Sequence, residues 1–541
     1  MTRKRATAES SALPSAQEKA RKLDNGHGNP SAPSTDDEQP SSPATDEAAG
    51  ADTRVAGMYL DTVDRSALDF DFEQVCSISL SKNNVYACLV CGRYYQGRGK
   101  QTHAYFHSIN DDHHVFINLK TLRVYVLPDN YQVQDKSLND IKAVISPDYT
   151  ALQVNNIDMG CEYSRDLSGK KYMAGFVGLN KIKSNDYMNV VVQALAHIQP
   201  VRDTLLLIPD LKNQTTLVRR MALLVRRMWH PRLLKAHVSP HEFVQEAVNR
   251  SNHRFRLNAQ CDAFEFLTWL LNTLHIDLGG TRKRASSVIY KSFQGEINVV
   301  SQKLEDTKIR GREDDPIVLD KHKPFSERKS PFLTLSLDLP PKPLFNDGEE
   351  DNNEDTDNPK KKASIPQVAL VSLIQRYNGS TVVEHQGEAR QYCLLKLPQY
   401  IICHVKRFSR NDFSIEKNPT VVNFSIRNVP FGELLPKNAQ EQLPSASSAT
   451  YDLIANICHD GQAPTDLRKT DETRSASSMV PAQPVAYSES EMAAFQSQYV
   501  TYLCHQADGK WFKLHDLNVE PIMPQMILLS DTYIQIWKRN S

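Results

Sequence analysis

The fold of this chain can be inferred outward from one stretch, Gly178-Leu179-Asn180-Lys181-Ile182-Lys183-Ser184-Asn185-Asp186-Tyr187-Met188-Asn189, which is followed by Gln193. Further strings follow it in order: Gln260-Cys261-Asp262-Ala263-Phe264-Glu265-Phe266-Leu267, Phe293-Gln294-Gly295, Lys406-Arg407-Phe408, Tyr451-Asp452-Leu453-Ile454-Ala455 and Gly509-Lys510-Trp511-Phe512. Leucines alternate with polar residues over 333–339, which predicts a strand, and residues 401–408 are a second strand candidate. The sequence therefore predicts one large domain of mixed helices and strands over residues 176–541.

In order and content these strings resemble the signatures of the ubiquitin-specific proteases, from residue 178 to residue 533. The resemblance implies an α+β, papain-like fold with thumb, palm and fingers. Polar, low-complexity stretches near 346–362 and 462–490 are predicted to be surface insertions, because loop-closure entropy grows only slowly with loop length.

Carried over residue by residue, the family's catalytic triad falls on unsuitable side chains. The nucleophilic cysteine corresponds to Asp186, the histidine base to Gln498, and the residue that orients the histidine to His515. A carboxylate is a poor nucleophile toward an amide, and a glutamine amide cannot accept a proton at neutral pH. Because triad members act as a unit, the resemblance implies a degenerate cysteine protease with no catalytic residues.

Three other side chains near these motifs are potential substitutes in catalysis, namely Cys261, His459 and His505. We interpret each of them as structural. Two functional alternatives stay open at this point: a deubiquitinase with a non-standard active site, and a module that binds ubiquitin without cleaving it.

A second motif lies in residues 56–150, where Cys88-Leu89-Val90-Cys91 precedes His103, His107, His113 and His114. A Cys-x-x-Cys pair with two later histidines can form a closed tetrahedral zinc site, and so small a unit usually needs such a staple. The region resembles the small α/β zinc finger of UBP type that binds ubiquitin. This resemblance implies one structural zinc held by Cys88, Cys91, His107 and His113. His114 in place of His113, or buried side chains without metal, are the alternatives.

The zinc fingers of this family grip the free C-terminus of ubiquitin with an arginine and aromatic residues. Arg98 matches the arginine, whereas Val124 and Val126 stand where the aromatic residues belong. The resemblance therefore implies that ubiquitin binding is weak or absent.

The remaining segments and the composition limit the classes of protein to which the chain can belong. Residues 1–55 are rich in Ser, Pro, Ala, Asp and Glu, which predicts a disordered tail, and residues 151–175 are predicted to be a connector. Lys plus Arg and Asp plus Glu both total 64, so global charge gives no argument for nucleic-acid binding. No apolar run approaches the roughly 20 residues of a membrane span, and nine scattered cysteines favour a reducing cytosol or nucleus.

Two helices are predicted between the first two protease motifs. Apolar residues interleave at helical spacing with the basic residues Arg219, Arg220, Arg226 and Arg227, which favours a helix with a solvated basic face over an RNA contact. The sequence Ser239-Pro240-His241-Glu242 predicts a capping box at the start of the next helix.

A one-zinc finger joined to a protease domain with a substituted triad is a distinctive combination. Together with strings such as Leu127-Pro128-Asp129-Asn130-Tyr131 and Glu416-Lys417-Asn418-Pro419-Thr420, it resembles the inactive protease-like splicing factors of the spliceosomal tri-snRNP. The resemblance implies a nuclear, non-catalytic scaffold that stabilises the tri-snRNP before spliceosome activation. Its implied partners are tri-snRNP proteins, with snRNA as a further candidate.

Overall fold

The structure is a computed structural model that describes residues 58–71, 73–160, 162–303, 325–341, 366–385, 387–410, 415–436, 449–461 and 497–540. The expected tail over 1–55 and the expected insertions near 346–362 and 462–490 lie outside these residues.

The N-terminal part of the described chain is a small α/β module built on an antiparallel sheet of order β2-β1-β3-β4-β5. Its strands are β1 (Val85–Cys88), β2 (Tyr94–Gln96), β3 (Val115–Asn118), β4 (Val124–Val126) and β5 (Tyr131–Val133), and its helices are α1 (His103–Asn110) and α2 (Asn139–Ile145). Because side chains alternate across a strand, Val85 and Ala87 join one core while Tyr86 and Cys88 join a second on the opposite face. The sheet therefore separates two buried clusters, and the second contains the Cys-x-x-Cys motif.

Residues 151–175 form the short elements α3 (Ala151–Asn156), β6 (Tyr163–Arg165) and β7 (Lys171–Met173), and the large domain adds two short strands, β8 (Gly178–Leu179) and β9 (His237–Val238). Strands β6 and β7 form an antiparallel pair, whereas β8 pairs with β9 in parallel. Helix α3 begins with a capping box, in which Thr150 and Gln153 satisfy each other's main-chain N–H groups. The expected connector is thus structured in this part of the chain.

The module packs directly against the large domain. Leu234 lies against the module's first core, and the Lys235 ammonium forms an ion pair with Asp69. Arg227 is 3.7 Å from Asp71, and the Tyr149 hydroxyl donates to the Arg226 carbonyl at 2.8 Å. Apolar and charged contacts therefore both join the two parts.

Helices dominate the first half of the large domain: α4 (Asp186–Ala196), α5 (Gln199–Leu207), α6 (Thr216–Met228), α7 (His241–Arg250), α8 (Ala263–Asp277) and α9 (Val288–Phe293). Helix α4 is buried along its whole length. A helix that is covered on every side is a core element rather than a surface helix. Its first residue is therefore held in position by packing from several directions.

Two expectations about helices α6 and α7 are wrong in detail. Arg226 is only 4 % exposed and donates to the carbonyl groups of Leu205 and Ile208, so this face of α6 is packed rather than solvated. Helix α7 has Pro240 at its N-cap and no side-chain cap, and Glu242 forms an ion pair with Arg220 instead of closing a capping box. In both cases contacts with residues distant in the chain replace what the local sequence predicts, which is solvent exposure in α6 and a capping box in α7.

Strands dominate the second half. Among the described residues, seven strands form a central sheet of order β12-β16-β24-β20-β21-β22-β23. They are β12 (Thr334–Asp338), β16 (Tyr400–Lys406), β20 (Tyr451–Asp460), β21 (Gln498–Cys504), β22 (Trp511–His515), β23 (Asn518–Ile522) and β24 (Thr532–Arg539). Leu335 and Leu337 of β12 are buried, as the alternating pattern predicts. Both strands that the sequence predicts here are confirmed.

A second sheet of order β11-β10-β15-β14 extends from this domain and comprises β10 (Gly295–Lys303), β11 (Ser326–Phe332), β14 (Asn378–His385) and β15 (Glu388–Lys396). Smaller elements complete the described chain: β13 (Gln367–Ala369), α10 (Leu370–Ile374), β17 (Phe408–Arg410), β18 (Ile415–Lys417) and β19 (Val421–Asn423). A helical part, a central seven-stranded sheet and a second, four-stranded sheet match the expected thumb, palm and fingers, so the α+β class is confirmed. Within the described ranges, no helix combines the length and the apolar character that a membrane span requires.

Candidate functional site

Asp186 is the first residue of α4 and is 2 % exposed. The preceding loop is shaped by side-chain amides, because Asn185 accepts from the main-chain N–H of Ile182 at 2.6 Å and donates to Asn189 at 3.1 Å. Lys183 has a φ of 61°, a left-handed conformation that side chains other than glycine adopt rarely. The loop and the helix together place the Asp186 carboxylate at the N-terminal, positive end of the α4 dipole.

The Asp186 carboxylate is occupied by hydrogen bonds from two distant segments. Its Oδ2 atom accepts from Gln260 Nε2 at 2.8 Å and from the main-chain N–H of Tyr499 at 3.0 Å. The Gln260 amide also donates to the Ser497 carbonyl at 3.2 Å. Asp186 and Gln260 therefore connect the start of α4, the segment before α8 and the start of β21. Sequence reasoning quoted Gln260 only as part of a motif, and the main-chain donor of Tyr499 leaves no sequence signal.

Helix α4 packs against the two strands that carry Gln498 and His515, the other positions that the family resemblance assigns to the triad. Gln498 is the first residue of β21 and His515 is the last residue of β22. His515 Nε2 lies 3.4 Å from Asp516 Oδ2. Burial raises the pKa of Asp516, and the negative charge of Asp186 adds to that rise. The site therefore contains two carboxylates that influence each other, Asp186 and Asp516, with the His515 imidazole beside the second.

The three potential substitutes are engaged elsewhere. The Cys261 thiol donates to the Ala259 carbonyl at 3.7 Å. His459 is fully buried, its Nε2 lies 2.8 Å from the Ser497 hydroxyl, and burial lowers the pKa of its imidazole to about 3. His505 Nδ1 lies 2.6 Å from Asp508. Each of these groups thus has a local structural partner.

Four potential metal ligands cluster in the small module. One ligand atom from each of Cys88, Cys91, His107 and His113 lies within 4.8 Å of the others. His107 Nε2 is 3.4 Å from Cys91 Sγ and 3.1 Å from His113 Nδ1. Two thiolates and two imidazoles are the donor set of structural tetrahedral zinc sites, so the chemistry of the cluster fits that metal.

Surrounding contacts orient the cluster. The second ring nitrogen of His107, Nδ1, is 2.5 Å from Asp111 Oδ2, and the ring stacks on Tyr95 at 4.2 Å. Metal-binding histidines commonly donate in this way to a carboxylate, which fixes the tautomer. His114 faces away, with Nδ1 2.7 Å from the Leu127 carbonyl and Nε2 2.8 Å from Asp112. The geometry thus favours His113 over His114, and Asp111 is a contributor that the sequence analysis missed.

The arginine expected to grip a ubiquitin tail is engaged within the module. The Arg98 guanidinium lies 4.4 Å from the centre of the Tyr125 ring and donates to Asn130 at 2.6 Å. Val124 and Val126 are completely buried. These three side chains are therefore committed to intramolecular contacts.

Comparisons with known proteins agree with this architecture. The family model described as "Ubiquitin carboxyl-terminal hydrolase" matches residues 177–537, and the model described as "Zn-finger in ubiquitin-hydrolases and other protein" matches residues 76–138. The chain is 41 % identical over 493 residues to "Ubiquitin carboxyl-terminal hydrolase 39" of Homo sapiens, with 89 % of this chain and 79 % of the relative covered.

Two further similar proteins have names that refer to splicing. The chain is 40 % identical over 487 residues to "Probable mRNA-splicing protein ubp10" of Schizosaccharomyces pombe, covering 90 % of this chain and 88 % of the relative. A solved structure titled "Crystal structure of an essential yeast splicing factor" matches with a TM-score of 0.65 and 27 % identity, over 89 % of this chain and all of the other. The chain belongs to the ubiquitin carboxyl-terminal hydrolase family and carries that family's zinc finger ahead of the hydrolase fold.

Proposed function

We propose that this protein acts in pre-mRNA splicing as a non-catalytic scaffold that associates with the tri-snRNP in the nucleus. The names of its relatives support the splicing role. A family fold without a usable nucleophile still presents a large shaped surface, and function resides in the sites that a fold carries.

The observation that carries the non-catalytic part of this proposal is the state of Asp186. Its side chain is buried, and its Oδ2 atom accepts two hydrogen bonds. Attack on an isopeptide carbonyl needs an accessible nucleophile beside a proton acceptor. Asp186 is not accessible, and the two groups bonded to its Oδ2 atom, the Gln260 amide and the Tyr499 N–H, are donors that cannot take up a proton. We infer that this position serves to hold the fold together.

We also propose that the small module, which we place at residues 56–150, holds one zinc ion through Cys88, Cys91, His107 and His113. A closed site of this kind supplies folding free energy rather than reactivity. Because the module packs against the large domain through Leu234 and other contacts, the metal would stabilise the scaffold as a whole.

The splicing role can be tested by depletion and complementation in cells. Depleting the protein is expected to lower tri-snRNP levels, measured on glycerol gradients, and to cause intron accumulation, measured by RNA sequencing. Wild type and Gln498→Ala are both expected to rescue these defects, because Gln498 is partly exposed and has no catalytic role in the proposal. A Gln498→Ala protein that is folded and bound to the tri-snRNP, yet fails to restore splicing, would point to hidden chemistry. Unchanged splicing after depletion would contradict the proposed splicing role itself.

The two alternative functions have their own tests. An activity-based ubiquitin probe would label the protein if a hidden nucleophile such as Cys261 were active, and no labelling is expected. Titration with ubiquitin is expected to show no saturable binding below millimolar concentration, because Arg98 is already engaged. Binding in the micromolar range, lost in Arg98→Ala, would instead identify the protein as a ubiquitin-binding module.

A further inference from the structure

An open cavity of about 420 Å³ lies at the edge of the small module's sheet, beside β5 and on the far side of β4 from β3. It is lined by Leu122, Arg123, Val124, Gln132, Val133, Gln134, Asp135, Lys136, Asn139 and Lys142. We call this surface the β5 groove. None of its residues belongs to the metal cluster or to the site around Asp186.

The β5 groove carries an excess of positive charge. Its lining contains Arg123, Lys136 and Lys142 against one carboxylate, Asp135. Within the described part of the chain none of these three cations has an ion pair, and Asp135 accepts a hydrogen bond from the Ser137 N–H at 2.7 Å. Asp140, the acidic residue of α2, forms an ion pair with Arg65 at 2.6 Å instead of with a cation of the groove. The local excess contrasts with the zero net charge of the whole chain.

We propose that the β5 groove binds the phosphate backbone of RNA. Cations from two separate segments, residues 122–124 and 132–142, line one concavity, and the amides of Gln132, Gln134 and Asn139 add uncharged donors. Side chains of these types make the backbone contacts that position a protein on a nucleic acid. Among the described lining residues none is aromatic, so base stacking is not available and the contact is independent of sequence.

An acidic peptide is the other ligand with matching charge, and the geometry favours it less. A peptide that extends a sheet needs a long exposed edge strand, whereas β5 has only three residues. RNA binding by the β5 groove would give the proposed splicing function a nucleic-acid partner. It rests on that function in one respect, because splicing identifies which RNA the groove would meet in the cell.

The test uses the full-length protein and a fluorescent 20-nucleotide single-stranded RNA, with binding measured by anisotropy between 50 and 200 mM KCl. The variant is Arg123→Gln/Lys136→Gln/Lys142→Gln. The matched control is Lys171→Gln/Arg282→Gln/Lys283→Gln, which removes the same charge from exposed positions outside the groove. Three lost phosphate contacts are expected to weaken binding by about tenfold or more and to reduce the salt-dependence slope by about 2. Circular dichroism checks that both variants are folded.

Each outcome of this experiment decides the proposal. Loss of RNA affinity and of salt dependence in the groove variant, with the control unchanged, would support it. Equal losses in both variants would show charge attraction without a site. No RNA binding by wild type, or groove-dependent binding of poly-glutamate in its place, would overturn the assignment to RNA. None of these results depends on the complementation assay, so the proposed splicing function can stand or fall separately.

Discussion

The carboxylate of Asp186 accepts the main-chain N–H of Tyr499 at 3.0 Å, which joins two residues 313 positions apart in the chain. This bond ties the first turn of α4 to the start of the central sheet's β21. Because Gln260 binds the same oxygen, one side chain organises three segments of the domain. The position that the family resemblance assigns to a reactive thiol thus carries a buried, hydrogen-bonded carboxylate, and the consequences can be measured.

Replacing Asp186 is expected to destabilise the protein. Asp186→Ala removes the buried acceptor of the Tyr499 N–H and one of the two acceptors of the Gln260 amide, which costs about 1–3 kcal/mol. Asp186→Asn keeps one carbonyl oxygen as acceptor and should cost less. Urea unfolding followed by tryptophan fluorescence measures both, with Gln498→Ala as a control expected to behave like wild type. Wild-type stability in Asp186→Ala would show that the two hydrogen bonds contribute nothing.

Restoring a thiol is not expected to restore catalysis. Asp186→Cys places a nucleophile at the start of α4, but the neighbouring position in β21 remains glutamine, which cannot accept its proton. Hydrolysis of a ubiquitin–fluorophore conjugate should therefore stay at background in wild type and in Asp186→Cys. Cleavage that increases with enzyme concentration and disappears in Cys261→Ala would contradict the proposal that the protein is non-catalytic.

Metal analysis is expected to give one zinc per chain. Cys88→Ser and His113→Ala should lose the metal and unfold the small module, whereas His114→Ala should keep it, because His114 bonds to Leu127 and Asp112 instead. Elemental analysis together with proteolysis of the module provides the readout. Zinc loss in His114→Ala but not in His113→Ala would reverse the ligand assignment.

Removing the carboxylate that contacts the metal ligand His107 should lower zinc affinity less than removing a ligand does. Asp111→Asn removes the carboxylate that lies 2.5 Å from His107 Nδ1, and contacts of this kind typically contribute 10–100-fold to metal affinity. Competition with a chromophoric zinc chelator measures the change. Unchanged affinity would indicate that the metal does not depend on the orientation of His107.

Acid is expected to destabilise the large domain through its buried histidines. Burial lowers the pKa of His459 to about 3 and of His197 to about 4, below the ordinary value of 6.5. The unfolded chain therefore binds more protons, and the stability present above pH 6.5 is lost as the pH falls toward 4. Each histidine contributes up to about 1.4 kcal/mol per pH unit in this range. Unfolding experiments at pH 7, 6 and 5 should show a shallower dependence in His459→Phe, and an unchanged slope would contradict the assignment.

Much of the architecture could be predicted from local patterns. The strand over Thr334–Asp338 follows from its alternating leucines, because one face of a strand must be buried when the other is polar. The Cys-x-x-Cys motif and its later histidines indicated a metal cluster, since few other reasons place those residues at that spacing. Family motifs supplied the α+β fold with its thumb, palm and fingers, which no periodicity argument could have given.

Other features depended on contacts between distant segments. The basic residues of α6 looked like a solvated face, yet Arg226 and Arg227 are covered because loops and the small module pack onto that helix. The capping box before α7 did not form because Glu242 has Arg220 as a tertiary partner. Charged side chains are the hardest to place from sequence, since their partners are often far away in the chain.

The sequence by itself determined that this chain has the hydrolase fold with a zinc finger before it, and its resemblance to the family predicted that aspartate, glutamine and histidine stand at the triad positions. It could do so because residue types and their order are local information. Only the tertiary structure decided what Asp186 does instead of catalysis, because its donors are a glutamine from the segment before α8 and a main-chain N–H of β21. A hydrogen bond between segments hundreds of residues apart has no signature in either segment.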